Sequence, residues 1–154
     1  MRNVRKILTT TDTSEASTAG VRYALEIAQR EKAEVILLNV ADMMEGMPYP
    51  AGAETKFKPP DTILQEHEKK TRSFLTSHFP DLAKQVNVQI ITDLGVPHQR
   101  IVEHAENAGV DLIVMSTHGR SGVGRLFLGS VTEQVVRRAG CPVLTVRTHP
   151  VETT

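Results

Sequence analysis

The chain has one cysteine, Cys141, no tryptophan, and no surplus of either charge, with 18 basic and 18 acidic side chains. A single thiol forms no intrachain disulfide, so the expected setting is the reducing cytoplasm. Cys141 stands between Gly140 and Pro142 at the entrance to a strand-like run, where a small buried or half-buried side chain is expected. The charge balance argues against broad electrostatic binding to nucleic acid or to an anionic membrane. No apolar run approaches the roughly 18 residues of a membrane span. The opening Met1-Arg-Asn-Val-Arg-Lys-Ile-Leu8 passes straight into a strand-like run, with no signal-peptide core. Internal repeats and low-complexity tracts are also missing. The histidines at 67, 78, 98, 104 and 149 show no metal-ligand spacing; His98 and His104, six apart, fall on different faces of a helix.

What is present is a regular alternation. At 154 residues the chain is expected to form one domain, residues 1–154, large enough for a core without staples. Apolar, β-rich runs cover Val4 to Thr10, Glu34 to Val40, Val86 to Thr92, Asp111 to Thr117 and Pro142 to Arg147. Helical patterns lie between them: Ser14 to Arg30, Asp61 to His78, Pro97 to Ala108 and Ser130 to Ala139. Pro97 suits a first helical turn and Gly109 a C-cap. Continuous apolar stretches such as Val35-Ile-Leu-Leu38 fit strands covered on both faces. The order β-α-β-α-β-α-β-α-β predicts an α/β, doubly wound, Rossmann-like parallel sheet with helices on both faces. Such sheets bind ligands beyond the carboxyl ends of their strands, where the strand order switches. Three loops leave those ends: Thr11 to Thr13, Ala41 to Pro60, and His118 to Gly129. The middle one, with three methionines, four prolines and two glycines, exceeds an ordinary connection and is expected to be a lid or partly disordered.

The third loop is the most telling. Met115 to Val131 contains Gly119, Gly122, Gly124 and Gly129, leaves an apolar strand, and feeds a helical pattern at Ser130. Glycines let backbone amides approach an anion, and a helix start supplies unpaired N–H groups. No Gly-x-x-x-x-Gly-Lys-Ser/Thr motif occurs. Gly122-Val-Gly124 opens a dinucleotide pattern, but Phe127 stands where its third glycine belongs.

Gly119, nine residues, then Gly129-Ser130, between an apolar strand and Val131-Thr-Glu-x-Val-Val, resembles the universal stress protein family. Cys141-Pro-Val-Leu-Thr-Val146, Thr11-Asp12 and Leu38-Asn-Val40 match it as well, so the resemblance spans essentially the whole chain. It implies a five-stranded parallel sheet in the order 3-2-1-4-5, a homodimer, and a site for ATP or AMP, with Mg²⁺ or Mn²⁺ bridging phosphates. Carried over by position, Thr11 and Asp12 would meet ribose or metal-bound phosphate, and Val40 would meet adenine through its backbone. Met115 and Ser116 would line the ribose side, and Gly119, Arg120, Gly129, Ser130 and Val131 would hold phosphates. The family pattern places glycine where this chain has Ser116. A serine serves there if the backbone has negative φ and weakens binding if φ must be positive; retained binding is expected.

Structural roles compete for the same residues. Ser130-Val-Thr-Glu133 reads as a capping box, and Asp12, three before Glu15, as an N-cap. Arg120 and Arg125 also fit a solvated face, and His118 a surface or packing position. The expected function is a stress-response sensor or regulator that binds an adenine nucleotide. An interaction module without nucleotide, and a slow ATP hydrolase, are the other classes. A hydrolase needs a positioned base, and Asp12 and His118 are the sequence's candidates. The short apolar Val143 to Val146 run, expected at a sheet edge, is the candidate dimer strand.

Overall fold

The computed structural model describes residues 3–44, 57–118 and 128–148. Five strands, β1 (Lys6–Thr10), β2 (Glu34–Ala41), β3 (Val88–Leu94), β4 (Leu112–Ser116) and β5 (Val143–Val146), form one parallel sheet in the order β3-β2-β1-β4-β5. The helices are α1 (Thr18–Glu31), α2 (Pro60–His78), α3 (Leu82–Gln85), α4 (Pro97–Ala108) and α5 (Ser130–Arg138). The fold is thus the expected doubly wound α/β sheet, with the expected strand order.

Alternation along the strands separates two cores. Ile7, Val35, Leu37 and Val114 pack with Val21, Ala24, Leu25 and Ala28 of α1 and with Phe74 and Leu75 of α2. Leu8, Ile36, Leu38, Ile113 and Met115 face the other way, onto Ile101 and Ala105 of α4 and Val135 of α5. Burial on both faces explains why the central strands carry continuous apolar runs instead of an alternating pattern. The edge strands are less enclosed: β5 is half-buried throughout.

Several boundaries differ from expectation, each for a local reason. The segment from Ser14 begins with a 3₁₀ turn, Glu15–Ser17, and α1 proper starts at Thr18. The hydroxyl of Ser17 donates to the Ser14 carbonyl at 2.8 Å and lies 2.7 Å from that of Thr11, holding the tighter turn. β3 begins at Val88, two residues later than expected, because the four-residue α3 precedes it and Val86 is its C-cap. α4 matches its expected limits, with Pro97 in the first turn and Gly109 left-handed at the C-cap (φ 63°).

A band of buried polar side chains runs through the α1/α2 side. The Asn39 amide donates to the Thr71 hydroxyl at 3.0 Å, and Thr71 donates to the His67 carbonyl at 2.7 Å, tying β2 to α2. Thr9, fully buried in β1, has a hydroxyl with no hydrogen-bond partner among the described residues. A buried hydroxyl without a partner forfeits its hydration. Thr9→Val is therefore expected to raise stability by about 1 kcal/mol, read as a higher urea midpoint at unchanged slope. A lower midpoint would contradict the assignment.

Candidate functional site

β1 is flanked by β2 on one side and β4 on the other, so the strand order switches between β1 and β4. At that point the carboxyl ends of three strands lie together. The Thr11 N–H continues the ladder by donating to the Leu38 carbonyl at 3.0 Å, and the Thr117 N–H donates to the Val146 carbonyl at 2.8 Å.

The turn after β1 is held by its own hydroxyls and carboxylate. Thr11 is buried and accepts the Thr13 N–H at 2.9 Å through its hydroxyl. Thr13 takes a left-handed conformation (φ 65°). Asp12, half-buried, accepts the Ser14 N–H at 3.0 Å and also the Ser14 hydroxyl. Asp12 therefore closes a two-residue turn on Ser14 and is not the N-cap of the helix, contrary to the capping reading; Ser14 flanks the 3₁₀ turn.

On the other side of β1, the start of α5 is pulled back onto the end of β4. The Gly129 N–H donates to the Thr117 carbonyl at 2.7 Å, and the Thr132 hydroxyl donates to the Ser116 carbonyl at 3.0 Å. A Cβ on Gly129 would stand 3.2 Å from the Thr117 carbonyl oxygen, which is why a glycine suits this approach. The capping box is not formed. Gly129 is the N-cap, Ser130 is the first helical residue, no side chain caps the helix, and Glu133 pairs with Arg137 at 2.9 Å. The first helix-closing bond runs from the Glu133 N–H to the Gly129 carbonyl at 2.9 Å. The N–H groups of Ser130, Val131 and Thr132 consequently have no acceptor among the described residues.

The expected site residues divide by what they can offer. Met115 lies in the core beneath α4 and α5, so only its backbone reaches the strand end. Val40 is half-buried on the same face, near the end of β2. Ser116 is buried as the last residue of β4. Thr13 and Lys32 are the only non-glycine residues with positive φ among the described residues, so Ser116 has negative φ and a serine is unstrained there. His118 holds its Nδ1 3.1 Å from the Thr117 hydroxyl, and its buried Nε2 has no partner among the described residues. Gly119, Arg120 and Arg125 lie outside the described residues, as do His149 and most of the segment after β2.

Three residues at this end were not singled out by the sequence: Gly20, Ser14 and Thr132. A glycine inside the α1 pattern was the available signal for Gly20, because such a glycine usually marks close packing. A Cβ there would fall 2.6 Å from the Ser116 nitrogen.

Two further polar clusters adjoin the sheet. A hollow of about 690 Å³ opens at the amino ends of the strands, away from the switch point. Two of its polar side chains serve the fold: Asp111 accepts the N–H groups of Arg5 and Lys6 at 2.8 and 3.0 Å, and the Lys6 ammonium donates to the Ala108 carbonyl at 3.3 Å. Beside Val40, in register on β3, Asp93 accepts from His104 at 2.7 Å, with Arg100 at 3.8 Å. Burial pushes the Asp93 carboxyl up. The His104 hydrogen bond, the Leu94 N–H and the Arg100 and His104 charges outweigh it and leave the pKa below its ordinary value. A lowered folded-state pKa stabilises the fold above the ordinary carboxylate pKa, and the gain is lost as pH falls through the lowered one. Asp93→Asn is expected to cost about 1 kcal/mol near neutrality, with the gap from wild type closing in acid. Parallel urea midpoints at pH 7 and pH 3 would test this, and a gap that persists in acid would contradict it. Cys141 is half-buried, and burial raises its thiol pKa, in keeping with a packing role.

Comparison with known proteins places the chain in a clear context. The profile of the universal stress protein family matches residues 3–147. Universal stress protein MJ0531 of Methanocaldococcus jannaschii is 36% identical over 145 residues, covering 93% of this chain and 82% of its own length. The solved structure of MJ0577, from the same organism, superposes with a TM-score of 0.73 at 32% identity, covering 97% of this chain and 99% of that one. A universal stress protein crystallised in complex with cAMP gives a TM-score of 0.62 at 25% identity, covering 96% of this chain and 100% of that one.

Proposed function

The chain belongs to the universal stress protein family, and from that premise we propose that it binds an adenine nucleotide, ATP or AMP, as a stress-response sensor or regulator in the cytoplasm. The observation that carries this reading is the start of α5: three N–H groups without an acceptor among the described residues, preceded by a glycine, at the strand-order switch. A helix start with open amides attracts phosphate through its donors and its positive end. The chemistry around it completes a nucleotide site. Asp12 offers a carboxylate to ribose hydroxyls, and the backbone of Val40 meets the base. The backbones of Met115 and Ser116 border the sugar. Gly129, Ser130 and Val131 hold phosphates together with Gly119 and Arg120. A relative's complex with cAMP supports an adenine nucleotide as the ligand class.

The described residues include no group of three or more His, Cys, Asp or Glu side chains able to hold a metal ion. Mg²⁺ or Mn²⁺ would therefore arrive with the phosphates and take most of its ligands from them and from water. The half-buried edge strand β5 supplies the surface for a homodimer, each copy pairing its β5 with the other's. Sedimentation at micromolar concentration tests that assembly, and a monomer there rejects it.

The decisive experiment is to heat-denature the purified protein and identify the released nucleotide by chromatography. Released or readily bound ATP or AMP supports the reading. An empty protein whose melting temperature ignores added Mg·ATP would reject it in favour of an interaction module. Nucleotide at about 100 times its Kd would stabilise the fold by about 2.7 kcal/mol, a shift that melting readily detects.

A further inference from the structure

The side chain of Ser116 turns away from the strand ends and into α1. Its hydroxyl accepts the Gly20 N–H at 2.9 Å in a buried bond, while its carbonyl accepts the Thr132 hydroxyl at 3.0 Å in another. Gly20 lies in the first turn of α1, on one face of the sheet, and Thr132 in the first turn of α5, on the other. One residue thus bridges two helix starts across the end of β4.

The two helix starts differ in their N–H groups, and Ser116 accounts for one of those in α1. A helix leaves its first four N–H groups without internal partners. In α1 the Thr18 N–H is taken by the Glu15 carbonyl and the Gly20 N–H by the Ser116 hydroxyl. In α5 the N–H groups of Ser130, Val131 and Thr132 find no acceptor among the described residues. Resting on the nucleotide reading above, we infer that Ser116 is a positioning residue for the phosphate chain. Its hydroxyl removes α1 from competition for the anion, and its carbonyl fixes the height of α5 against the strand. Its hydroxyl does not meet the nucleotide, since it is buried against Gly20 of α1; only the backbone of Ser116 borders the sugar. A glycine at 116 would leave the Gly20 N–H without this acceptor, so the serine is a working part and not a defect in the motif.

The test compares Mg·ATP with adenosine, which has no phosphates, by calorimetric titration of the full chain. In Ser116→Ala the affinity for Mg·ATP is expected to fall about five- to tenfold, the worth of one hydrogen bond, while adenosine affinity stays within about twofold. Thr132→Val should shift the same ratio in the same direction from the other helix, and Thr132→Ser, which keeps the hydroxyl, should restore it. Urea midpoints taken alongside separate loss of fold from loss of positioning. If Ser116→Ala fails to fold, the Thr132 pair decides. Equal losses for both ligands, or an unchanged ratio, would overturn the inference while leaving the nucleotide reading intact. Wild type that binds neither ligand would instead remove the nucleotide reading, and the inference with it.

Discussion

Replacing Gly20 by alanine is expected to lower stability by about 2 kcal/mol, against the rule that Gly→Ala strengthens a helix. In a helix interior the exchange ordinarily gains about 1 kcal/mol from reduced backbone freedom. Here the new methyl would stand 2.6 Å from the Ser116 nitrogen and 2.9 Å from the Met115 carbonyl carbon. Both are backbone atoms of a central region of the sheet and cannot rotate aside. Overpacking of that kind costs about 1–3 kcal/mol and sometimes more, so the steric term wins. Relief would come by lifting the first turn of α1 off β4, which also breaks the Ser116 bond. Urea denaturation of wild type and variant measures the effect. A variant as stable as wild type, or more so, would mean that α1 does not rest on β4 as described.

Ser130→Glu is expected to separate folding from binding. Ser130 is exposed at the first helical position of α5, and no side chain caps that helix. A carboxylate there complements the positive helix end and is expected to preserve or slightly raise the melting temperature, by about 0.3–1 kcal/mol in stability. The same carboxylate beside the proposed phosphates places like charges together, which costs several kcal/mol. The affinity for Mg·ATP should therefore fall by about 100-fold or more, and the thermal shift with nucleotide should vanish. An equal shift in wild type and variant would dismiss α5 as the phosphate site. Gly129→Val is a second probe of the same point, because even a Cβ there meets the Thr117 carbonyl oxygen at 3.2 Å. Unlike Ser130→Glu, it also strains the turn, so the charged variant is the cleaner measurement.

The elements whose signals are local were legible in the sequence. Pro97 and Gly109 punctuate α4 at both ends, and the helix runs between them. Runs of β-branched and aliphatic residues mark all five strands, and their alternation with helices points to the doubly wound sheet. The losses occur where side chains override local pattern. Ser14 and Asp12 look like helix-starting residues, yet the Thr11 and Ser17 hydroxyls stabilise a 3₁₀ turn and delay α1 to Thr18. The four residues of α3 are too few to show a period. Ser130 and Glu133 have the spacing of a capping box, but Gly129 enters the helix from the Thr117 carbonyl and takes the N-cap position itself. For the site, the strand ends and the Gly129-Ser130 junction were readable because they follow a motif. The Ser116–Gly20 bond joins residues 96 apart, and no local pattern announces it.

The position of β1 at the centre of the sheet also governs the order in which the molecule can assemble. Ile7 finds one neighbour in Val35, soon after it in the chain, but its other neighbour is Leu112. During synthesis, β1 and β2 can meet early, whereas the opposite side of β1 stays open until more than two thirds of the chain has been made. Loop closure over so many residues must precede the contacts that reward it, so refolding is expected to be slow for a domain of this size. In that interval an apolar strand edge is exposed to other nascent chains. The junction beside the proposed site, where β4 docks beside β1, is thus expected to be the late step on which escape from misassembly depends.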